Sequence, residues 1–361
     1  MNNLKPEQYK TQYTVIGLMS GTSLDGVDLA YCTFKKSVQG WSYSIEKAAT
    51  YSYPASWIAL LPQLLKTDAF TYARANVDLG RCFGQMISSF VKEYNLNPDF
   101  VASHGHTVFH QPEIGLTTQI GSGAAIAAEC GLPVVCDFRS SDVACHGQGA
   151  PLVPIGDRLL FKDYTFCLNL GGFSNISYQT DGQTIAFDVC PVNTILNRFA
   201  RLLGFEYDKD GAIARSGRVD VNLLADLNNL DYYKQSPPKS LGFEWSDVNI
   251  LPLIERSSLS VPDLLCTFTE HVAVQIARAL ASFLPATLLI TGGGAKNTYL
   301  IERLRAYMLH TITIPSPTII DYKEALIFAF LGVLRLRGEA NCLSSVTGAT
   351  KDVIGGAIYL P

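Results

Sequence analysis

Glycine, hydroxyl and carboxylate residues are concentrated directly after an apolar run near the amino terminus, in the segment IGLMSGTSLDGVD. Gly21 and Gly26 let backbone N–H groups come close to an anion, and Thr22 and Ser23 add hydroxyl donors of the kind that bind a triphosphate. This composition indicates a hairpin that binds phosphate. An ordinary hairpin without a ligand is the alternative, because Asp25 followed by glycine favours a two-residue turn.

A run of three glycines, in the segment TGGGA, follows the apolar residues Leu288–Ile290. The residues after it predict a helix, whose first amide groups are free to bind an anion or a nucleoside. A plain turn from strand to helix needs only one or two glycines. Gly292, Gly293 and Gly294 together therefore favour a close approach of a ligand to the backbone.

Two carboxylates follow or interrupt apolar segments. Asp188 closes the apolar strand residues Ile185-Ala186-Phe187 just before a predicted helix, which is the expected place for a catalytic base in an α/β fold. Capping of that helix is the alternative role. Glu324 lies near the start of the apolar helix predicted over 323–330, where it either favours the helix dipole or points into a cleft.

Three histidines, His104, His106 and His110, alternate so that a strand would place them on one face. Zinc binding is one interpretation, although no carboxylate or cysteine stands nearby at a helpful spacing. Hydrogen bonding to a polar ligand and packing in the core are the other two.

Further polar groups follow the strands of the first half. Gln119 lies in the segment TTQIG, and Asp137 and Arg139 lie in the segment DFRSSD. Arg139 has the fork geometry that suits the carboxylate of a substrate. An internal ion pair with Asp137 or with Asp142 is the competing interpretation.

The composition is that of a compact globular protein, with 361 residues, 48% hydrophobic residues and 17% charged residues. This length exceeds what one core usually holds, so we expect two domains, 13–150 and 151–361, with the C-terminal helix free to return to the first. The net charge of −4 and the lack of a Lys/Arg cluster argue against nucleic acid as a partner. Nine scattered cysteines and a polar amino-terminal segment predict a cytoplasmic protein without a membrane span.

Both halves of the chain begin with a strand, a glycine turn and a second strand, and the second half does so in LNLGGFSNIS. The predicted strands are 14–18, 29–34, 43–53, 100–103, 134–138, 184–188 and 288–290, and the predicted helices include 72–94 and 123–130. This duplicated layout indicates an α/β fold with phosphates held between paired hairpins.

The chain resembles the anhydro-N-acetylmuramic acid kinase family, a branch of the sugar kinase, Hsp70 and actin superfamily, from about residue 13 to residue 361. The motifs that carry the resemblance, in family order, are IGLMSGTSLDGVDLA, SHGHTVFHQP, TTQIG with VVCDFRSSD, GQGAPLVP, LNLGGFSNIS, FDVCPVN, TGGGAKN and EALIFAF. The resemblance implies a two-domain actin-like ATPase fold, which is a duplicated ribonuclease H-like fold with a nucleotide cleft between the domains.

The resemblance also implies an activity, the conversion of 1,6-anhydro-N-acetylmuramic acid, ATP and water to N-acetylmuramic acid 6-phosphate in peptidoglycan recycling, with Mg²⁺ bridging phosphate oxygens. Asp188 would be the general base that activates water, and Glu324 would support it at the edge of the cleft. The ATP-binding residues would be Gly21, Thr22, Ser23, Leu24, Asp25, Gly26, Val27, Asp28, Gly171, Gly172, Gly292, Gly293 and Gly294. The residues facing the amino sugar would be His104, Gln119, Asp137 and Arg139, with Arg139 on the lactyl carboxylate. No residue is assigned as a metal ligand.

Several positions depart from the family pattern. Val189-Cys190-Pro191 follows Asp188 where Thr-Gly-Pro is usual, and His106 stands where Gln is usual. Met19 lies in the region where many superfamily members carry an acidic residue that organises Mg²⁺. The alternatives are a kinase for another amino sugar, a nucleotide-gated binding protein like the Hsp70 ATPase portion, and a nucleotide-binding family member with little turnover. The oligomeric state is open, with a homodimer as one option.

Overall fold

The computed structural model describes residues 9–21, 24 and 26–361. The strands are β1 (Gln12–Ser20), β2 (Val27–Ser37), β3 (Gly40–Tyr51), β4 (Phe100–Ser103), β5 (His106–Gln111), β6 (Leu116–Ile120), β7 (Val134–Cys136), β8 (Phe166–Leu170), β9 (Phe173–Thr180), β10 (Gln183–Pro191), β11 (Thr287–Thr291), β12 (Thr311–Thr313) and β13 (Ala357–Tyr359). The helices are α1 (Ala55–Leu60), α2 (Ala69–Tyr94), α3 (Gly123–Cys130), α4 (Ser140–Ala144), α5 (Pro154–Leu160), α6 (Asn193–Arg201), α7 (Ala212–Ser216), α8 (Val221–Asn228), α9 (Phe243–Asn249), α10 (Leu251–Arg256), α11 (Val261–Leu280), α12 (Thr298–Tyr307), α13 (Pro317–Leu336) and α14 (Ser344–Thr347). No helix in these described ranges is both long and apolar enough to cross a membrane.

Two sheets share the same strand order over five strands, when one of them is read from its opposite edge. The first is β13-β7-β4-β1-β2-β3 and the second is β10-β9-β8-β11-β12. In each, three strands pair antiparallel through consecutive hairpins: β1, β2 and β3 in the first sheet, and β8, β9 and β10 in the second. Two further strands extend each sheet in parallel from the first strand of that set: β4 and then β7 from β1, and β11 and then β12 from β8. The α/β prediction with a duplicated ribonuclease H-like layout is therefore confirmed. The β1–β2 and β8–β9 connections have equivalent positions in the two strand orders, and so do the segments that follow β4 and β11.

The expected two-residue turn at Asp25-Gly26 is wrong. Ser20 pairs with Val27 in the β1–β2 ladder, so the connection contains the six residues 21–26. Leu24 has a φ of 59° and Gly26 a φ of 155°, so the backbone has positive φ angles at both residues before it enters β2. The predicted phosphate-binding residues Thr22, Ser23 and Asp25 lie outside the described residues.

The chain divides into two compact units. The first contains Met1–Leu160 and Tyr322–Pro361, and the second contains Phe161–Asp321. The sequence placed the junction at 150 and assigned 151–361 to the second domain, with the return of the C-terminal helix as an option. In the structure the division lies ten residues later, and most of α13 belongs with the first unit. The nucleotide cleft between the domains stays a prediction.

Local signals explain why the principal helices of the first unit begin and end where they do. Asp68 caps α2 through the N–H of Thr71, and Asn95 ends it in the left-handed conformation. Ser122 caps α3 through the N–H of Ala125, and Gly131 ends it in the same way. The apolar faces of both helices pack into one core with strands of the first sheet.

Helix α13 approaches the first sheet closely, because small residues face it. A Cβ built on Gly17 of β1 would overlap the carbonyl oxygen of Ala325, and one on Gly332 would lie 2.8 Å from the Cβ of Ala102 in β4. Residues 325–334 are buried without interruption. Gly17 therefore fixes the distance between β1 and the helix that carries Glu324.

Replacing Gly17 with alanine tests this packing. The added methyl group has no space against Ala325, so we expect Gly17→Ala to lower the free energy of unfolding by about 1–3 kcal/mol, measured from urea denaturation. Gly293→Ala is the control, because a Cβ there meets nothing closer than Nδ2 of Asn193 at 3.7 Å. Equal stability of the two variants would contradict the close packing.

Candidate active site

Arg139 and His104 form the centre of a polar cluster in the first unit. His104 follows β4 and Arg139 precedes α4. The guanidinium donates from Nη2 and Nε to His104 Nε2, at 2.9 and 3.3 Å, and from Nη1 to the carbonyl of Gly149 at 2.6 Å. His104 Nδ1 in turn donates to the carbonyl of Gly105 at 2.9 Å. These partners define a neutral His104 that carries its proton on Nδ1.

The internal ion pairs considered for Arg139 do not form. Asp137 is exposed, has a φ of 60°, and accepts from the hydroxyl of Ser140 at 2.6 Å. Asp142 is fully buried and accepts from the N–H of Gly149 at 2.8 Å and from the hydroxyl of Thr347 at 2.8 Å. No salt bridge among the described residues includes Arg139, so its charge is held by neutral acceptors.

Burial of both groups and the charge of Arg139 set the protonation of this pair. Burial, together with the charge of Arg139, lowers the pKa of His104 to about 3. Burial also lowers the pKa of Arg139 to about 10, against the opposing effects of Cys342, Glu324 and Asp142. At neutral pH the cluster is therefore one neutral imidazole and one guanidinium cation.

Glu324 lies in the eighth position of α13, because the helix begins at Pro317 and not near Lys323 as expected. The helix-dipole role is thus wrong, since the dipole acts within the first turn. Glu324 is exposed, and its charge raises the pKa of Arg139. It therefore lies within electrostatic reach of the Arg139 cluster.

Gln119 lies on β6, paired with Thr107 of β5. Its Nε2 donates to the hydroxyl of Thr117 at 2.9 Å. Its Oε1 is buried and accepts no hydrogen bond within the described part of the chain. A buried acceptor without a partner is costly, so a donor on a ligand is a natural partner for this atom.

The three histidines do not converge. His106 Nδ1 is 3.0 Å from the hydroxyl of Ser20, which also contacts the hydroxyl of Tyr53. His110 Nδ1 is 3.0 Å from the hydroxyl of Thr117. Because His104 binds Arg139, each ring has a different partner. Over residues 9–21, 24 and 26–361, no group of three or more His, Cys, Asp or Glu residues has the arrangement of a metal site.

Gly26, Val27 and Asp28 of the first glycine hairpin differ in what they could offer a nucleotide. Val27 is fully buried in the core, so only its backbone would be available to a nucleotide. Asp28 opens β2 and accepts from the hydroxyl of Thr50 at 2.6 Å. A Cβ at Gly26 would lie 2.6 Å from Thr50, and its φ of 155° favours glycine.

Asp188 occupies the edge strand of the second sheet, at a bulge between Asp188 and Cys190. Its Oδ2 accepts from the N–H of Leu241 at 2.9 Å. Helix α6 begins at Asn193 without a side-chain cap, so the capping alternative is wrong. Burial raises the pKa of the Asp188 carboxyl, against the effect of the Leu241 N–H. Asp188 is thus an oriented carboxylate with increased proton affinity.

Ser174 of β9 fixes the other side of the bulge. Its hydroxyl donates to the carbonyl of Cys190 at 3.0 Å and accepts from the N–H of Cys190 at 3.1 Å. Both side chains after Asp188 are buried: Val189 is 3% exposed and Cys190 is not exposed. The two departures from the family pattern therefore point into the core.

Gly171 and Gly172 connect β8 to β9 and bind the start of α6. The carbonyl of Gly171 accepts from the N–H of Asn193 at 3.2 Å, and that of Gly172 accepts from the N–H of Thr194 at 3.2 Å and its hydroxyl at 2.7 Å. The first amides of α6 are thus already bonded. Anion binding at this point would have to come from the glycine turn itself.

The triple glycine follows β11, and its members differ in environment. Gly292 has a φ of 80°, and a Cβ there would lie 2.8 Å from the carbonyl of Leu170. A Cβ on Gly294 would lie 2.7 Å from that of Leu170, whereas one on Gly293 would make only an ordinary contact, with Nδ2 of Asn193 at 3.7 Å. Two of the three glycines are thus required by packing against β8, and the third is free for a ligand.

A pocket of about 440 Å³ adjoins this turn within the second unit. It is lined by Asn193, Leu196, Asn197, Tyr207, Asp208, Lys209, Asp210, Gly293, Gly294, Lys296 and Asn297. The sequence predicted only the two glycines as ligand-binding residues. The polar turn DKDG at residues 208–211 was the available signal for the opposite wall.

The chain is similar to known proteins along nearly its whole length. A solved structure, the activator of the 2-hydroxyisocaproyl-CoA dehydratase from Clostridium difficile with bound ADPNP, aligns with a TM-score of 0.46 and 11% identity over 90% of this chain and 97% of that one. The anhydro-N-acetylmuramic acid kinase of Hydrogenovibrio crunogenus is 34% identical, covering 96% of this chain and 98% of its own. That of Pasteurella multocida is 36% identical, covering 95% of this chain and 96% of its own. The sequence pattern of the anhydro-N-acetylmuramic acid kinase family matches residues 13–361, and this chain belongs to that family.

Proposed function

We propose that this kinase converts 1,6-anhydro-N-acetylmuramic acid, ATP and water to N-acetylmuramic acid 6-phosphate and ADP, a reaction of peptidoglycan recycling. The observation that carries the proposal is Asp188, whose carboxylate is held by the N–H of Leu241 and has its pKa raised by burial. Opening an anhydro bridge with water needs a base of this kind at neutral pH, whereas phosphoryl transfer needs mainly positioning and charge neutralisation.

The reaction is written with Asp188 as the general base. Asp188 accepts a proton from water while the water oxygen bonds to the anomeric carbon of the sugar. The bond from that carbon to O6 breaks, and O6 attacks the γ-phosphorus of ATP, with ADP leaving. A raised pKa strengthens the carboxylate as a base.

The pocket of the second unit is assigned to the adenosine part of ATP. Its volume of about 440 Å³ and the open face of Gly293 suit a base and ribose close to the backbone. Lys296 at its rim is 2.5 Å from Asp321 in an ion pair, so it brings no uncompensated charge. The residues 21–28, with Gly171 and Gly172, are assigned to the phosphates.

Mg²⁺ is assigned to the phosphates of ATP and not to a protein cage. The described residues include the carboxylate of Asp28 at the start of β2 and no group of three or more His, Cys, Asp or Glu residues that could hold a metal ion. This donor set fits Mg²⁺, which commonly keeps several waters and binds substrate phosphates with one or two carboxylates. When bound, the ion would neutralise charge on the transferring phosphoryl group.

The amino sugar is assigned to the polar groups of the first unit. Arg139 has five N–H donors, of which three are bonded to His104 and Gly149, so two remain for a lactyl carboxylate. Gln119 offers its unpartnered Oε1 to a donor of the sugar. Asp137 is an exposed acceptor two residues before Arg139 in the sequence, and Glu324 has a supporting electrostatic role.

We also place the protein in the cytoplasm, where ATP is available. All nine cysteines are free, which is in keeping with a reducing compartment. The partners proposed are therefore ATP and a small amino sugar, with a homodimer as one option.

The reaction is tested by measuring ADP release with ATP and Mg²⁺. We expect release with 1,6-anhydro-N-acetylmuramic acid and none with N-acetylglucosamine or without sugar. Mass spectrometry should identify a 6-phosphate that has gained one water, with the oxygen label of H₂¹⁸O on the anomeric carbon. Phosphorylation of N-acetylglucosamine would instead support the kinase for another amino sugar, and ATP binding without turnover would support a family member that lacks catalysis.

Asp188→Asn keeps the shape of the side chain but cannot accept the proton of water. We expect kcat to fall by about 10²- to 10⁴-fold while the Kd for ATP, measured by calorimetry, stays within twofold. In the unmodified protein, kcat/KM should fall as the pH drops through the pKa of Asp188, above the ordinary value of about 3.9. Asp181→Asn, an exposed residue in the turn of the same hairpin, is the control. Normal turnover by Asp188→Asn would remove Asp188 from this role.

Arg139→Ala removes the charge proposed to bind the lactyl carboxylate. We expect KM for the anhydro sugar to rise at least about tenfold and KM for ATP to change less than about twofold. Arg335→Ala is the matched control, because Arg335 also donates to a main-chain carbonyl, that of Gly356 at 2.6 Å. Equal changes in both KM values would identify Arg139 as a structural residue.

A further inference from the structure

The main chain at Asp188 is held from outside the sheet. Strand β10 is the edge strand, so one side of it has no neighbouring strand. On that side the N–H of Asp188 donates to the carbonyl of Lys239 at 3.1 Å, and its carbonyl accepts from the hydroxyl of Tyr232 at 2.6 Å. Both backbone groups of the proposed base are therefore bonded to one segment, residues 231–241, which we call the positioning segment.

Tyr232 is the buried member of this segment. It is only 5% exposed and packs against Trp245, with ring centroids 5.2 Å apart. Burial, with the charge of Asp188, raises the pKa of Tyr232, so the phenol stays protonated and acts as a donor. A buried hydroxyl that donates to a backbone carbonyl at this distance restrains the position of that carbonyl.

Lys239, near the end of the positioning segment, contacts Tyr232, near its beginning. Nζ of Lys239 donates to the carbonyl of Tyr232 at 3.2 Å and lies 4.6 Å from the centre of the Tyr232 ring. Two residues later, the N–H of Leu241 donates to Oδ2 of Asp188 at 2.9 Å. The segment thus contacts Asp188 at its N–H, its carbonyl and one carboxylate oxygen.

These three contacts leave one atom of the carboxylate unengaged. No hydrogen bond within the described residues reaches Oδ1 of Asp188. A base that must meet a water molecule in one orientation gains from having its other oxygen occupied, because rotation of the carboxylate about its bond to Cβ is then restricted.

We propose that residues 231–241 position the Asp188 carboxylate, with Tyr232 as the anchoring residue, so that Oδ1 is the oxygen that accepts the proton from water. This inference rests on the proposed general-base role of Asp188. Tyr232 is a positioning residue and not a catalytic one, because it contacts the backbone of Asp188 and not the reacting atoms.

The neighbouring tyrosine provides a matched control. Tyr233 belongs to the same turn, but its hydroxyl lies 3.0 Å from Nε2 of His271 on α11, away from Asp188. Nδ1 of His271 is 2.8 Å from Oδ1 of Asn228. Removing either tyrosine hydroxyl deletes one buried hydrogen bond from the turn, yet only Tyr232→Phe releases Asp188.

The test compares Tyr232→Phe with Tyr233→Phe. We expect Tyr232→Phe to lower kcat by about tenfold to a hundredfold, with KM for ATP and for the anhydro sugar changed less than about twofold. Tyr233→Phe should keep kcat within about twofold of the unmodified protein. A kcat of Tyr232→Phe within twofold of the unmodified protein, or an equal loss in both variants, would overturn the inference.

A second measurement reads the geometry without turnover. In hydrogen exchange followed by mass spectrometry, peptides containing the N–H groups of Asp188 and Leu241 should exchange at least tenfold faster in Tyr232→Phe than in Tyr233→Phe. Unchanged exchange would overturn the positioning role even if kcat fell. Absence of turnover in the unmodified protein would instead contradict the proposed function, and the exchange comparison would still decide whether the segment holds Asp188.

Discussion

The close contact between Gly17 and Ala325 constrains the cluster of Arg139 and His104 in the first unit. Because β1 has no side chain at this point, α13 lies directly on the sheet. Phe328, one turn further along the helix, packs edge-on against His104 with ring centroids 4.6 Å apart. His104 then accepts from Arg139. The position of the guanidinium therefore depends, through two packed rings, on the absence of a methyl group in a strand.

The second unit uses another device, the free edge of a strand. An edge strand normally exposes unpaired N–H and carbonyl groups. At Asp188 these groups are bonded to residues 231–241, while Ser174 holds the bulge from the paired side. Asp188 pairs with Asn175 and Cys190 with Ser174, so the bulge leaves Val189 as the extra residue of the ladder. Val189 and Cys190, which differ from the family pattern, are part of this packing and are buried.

Local patterns in the sequence predicted the elements that form from short-range signals. The strand Phe100–Ser103 and the capped helix Gly123–Cys130 have the expected bounds, and the strand–glycine–strand segments are present, although β1 and β2 are longer than the predicted strands 14–18 and 29–34. The six-residue β1–β2 connection was not predicted, because the register of a hairpin depends on cross-strand pairing as well as on its turn residues.

The candidate site was predicted only in part, for a related reason. Glycines and isolated carboxylates are visible in a sequence, but their partners are distant along the chain. Leu241 is 53 residues from Asp188, and Gly149 reaches both Arg139 and Asp142 through a loop. Residues 207–210 line the same pocket as Gly293 and Gly294, although the two segments are far apart in the sequence. Such contacts carry no local periodicity.

The tautomer of His104 has an electrostatic consequence. With Nδ1 bonded to a carbonyl and Nε2 accepting from Arg139, a proton on Nε2 would replace an attraction with a repulsion between two cations. The pKa of His104 lies at about 3 and that of Arg139 at about 10. Between these values the pair carries a constant single positive charge. An anionic ligand would therefore meet the same electrostatic potential from this pair at mildly acidic and at mildly alkaline pH, although one of its two members is a histidine.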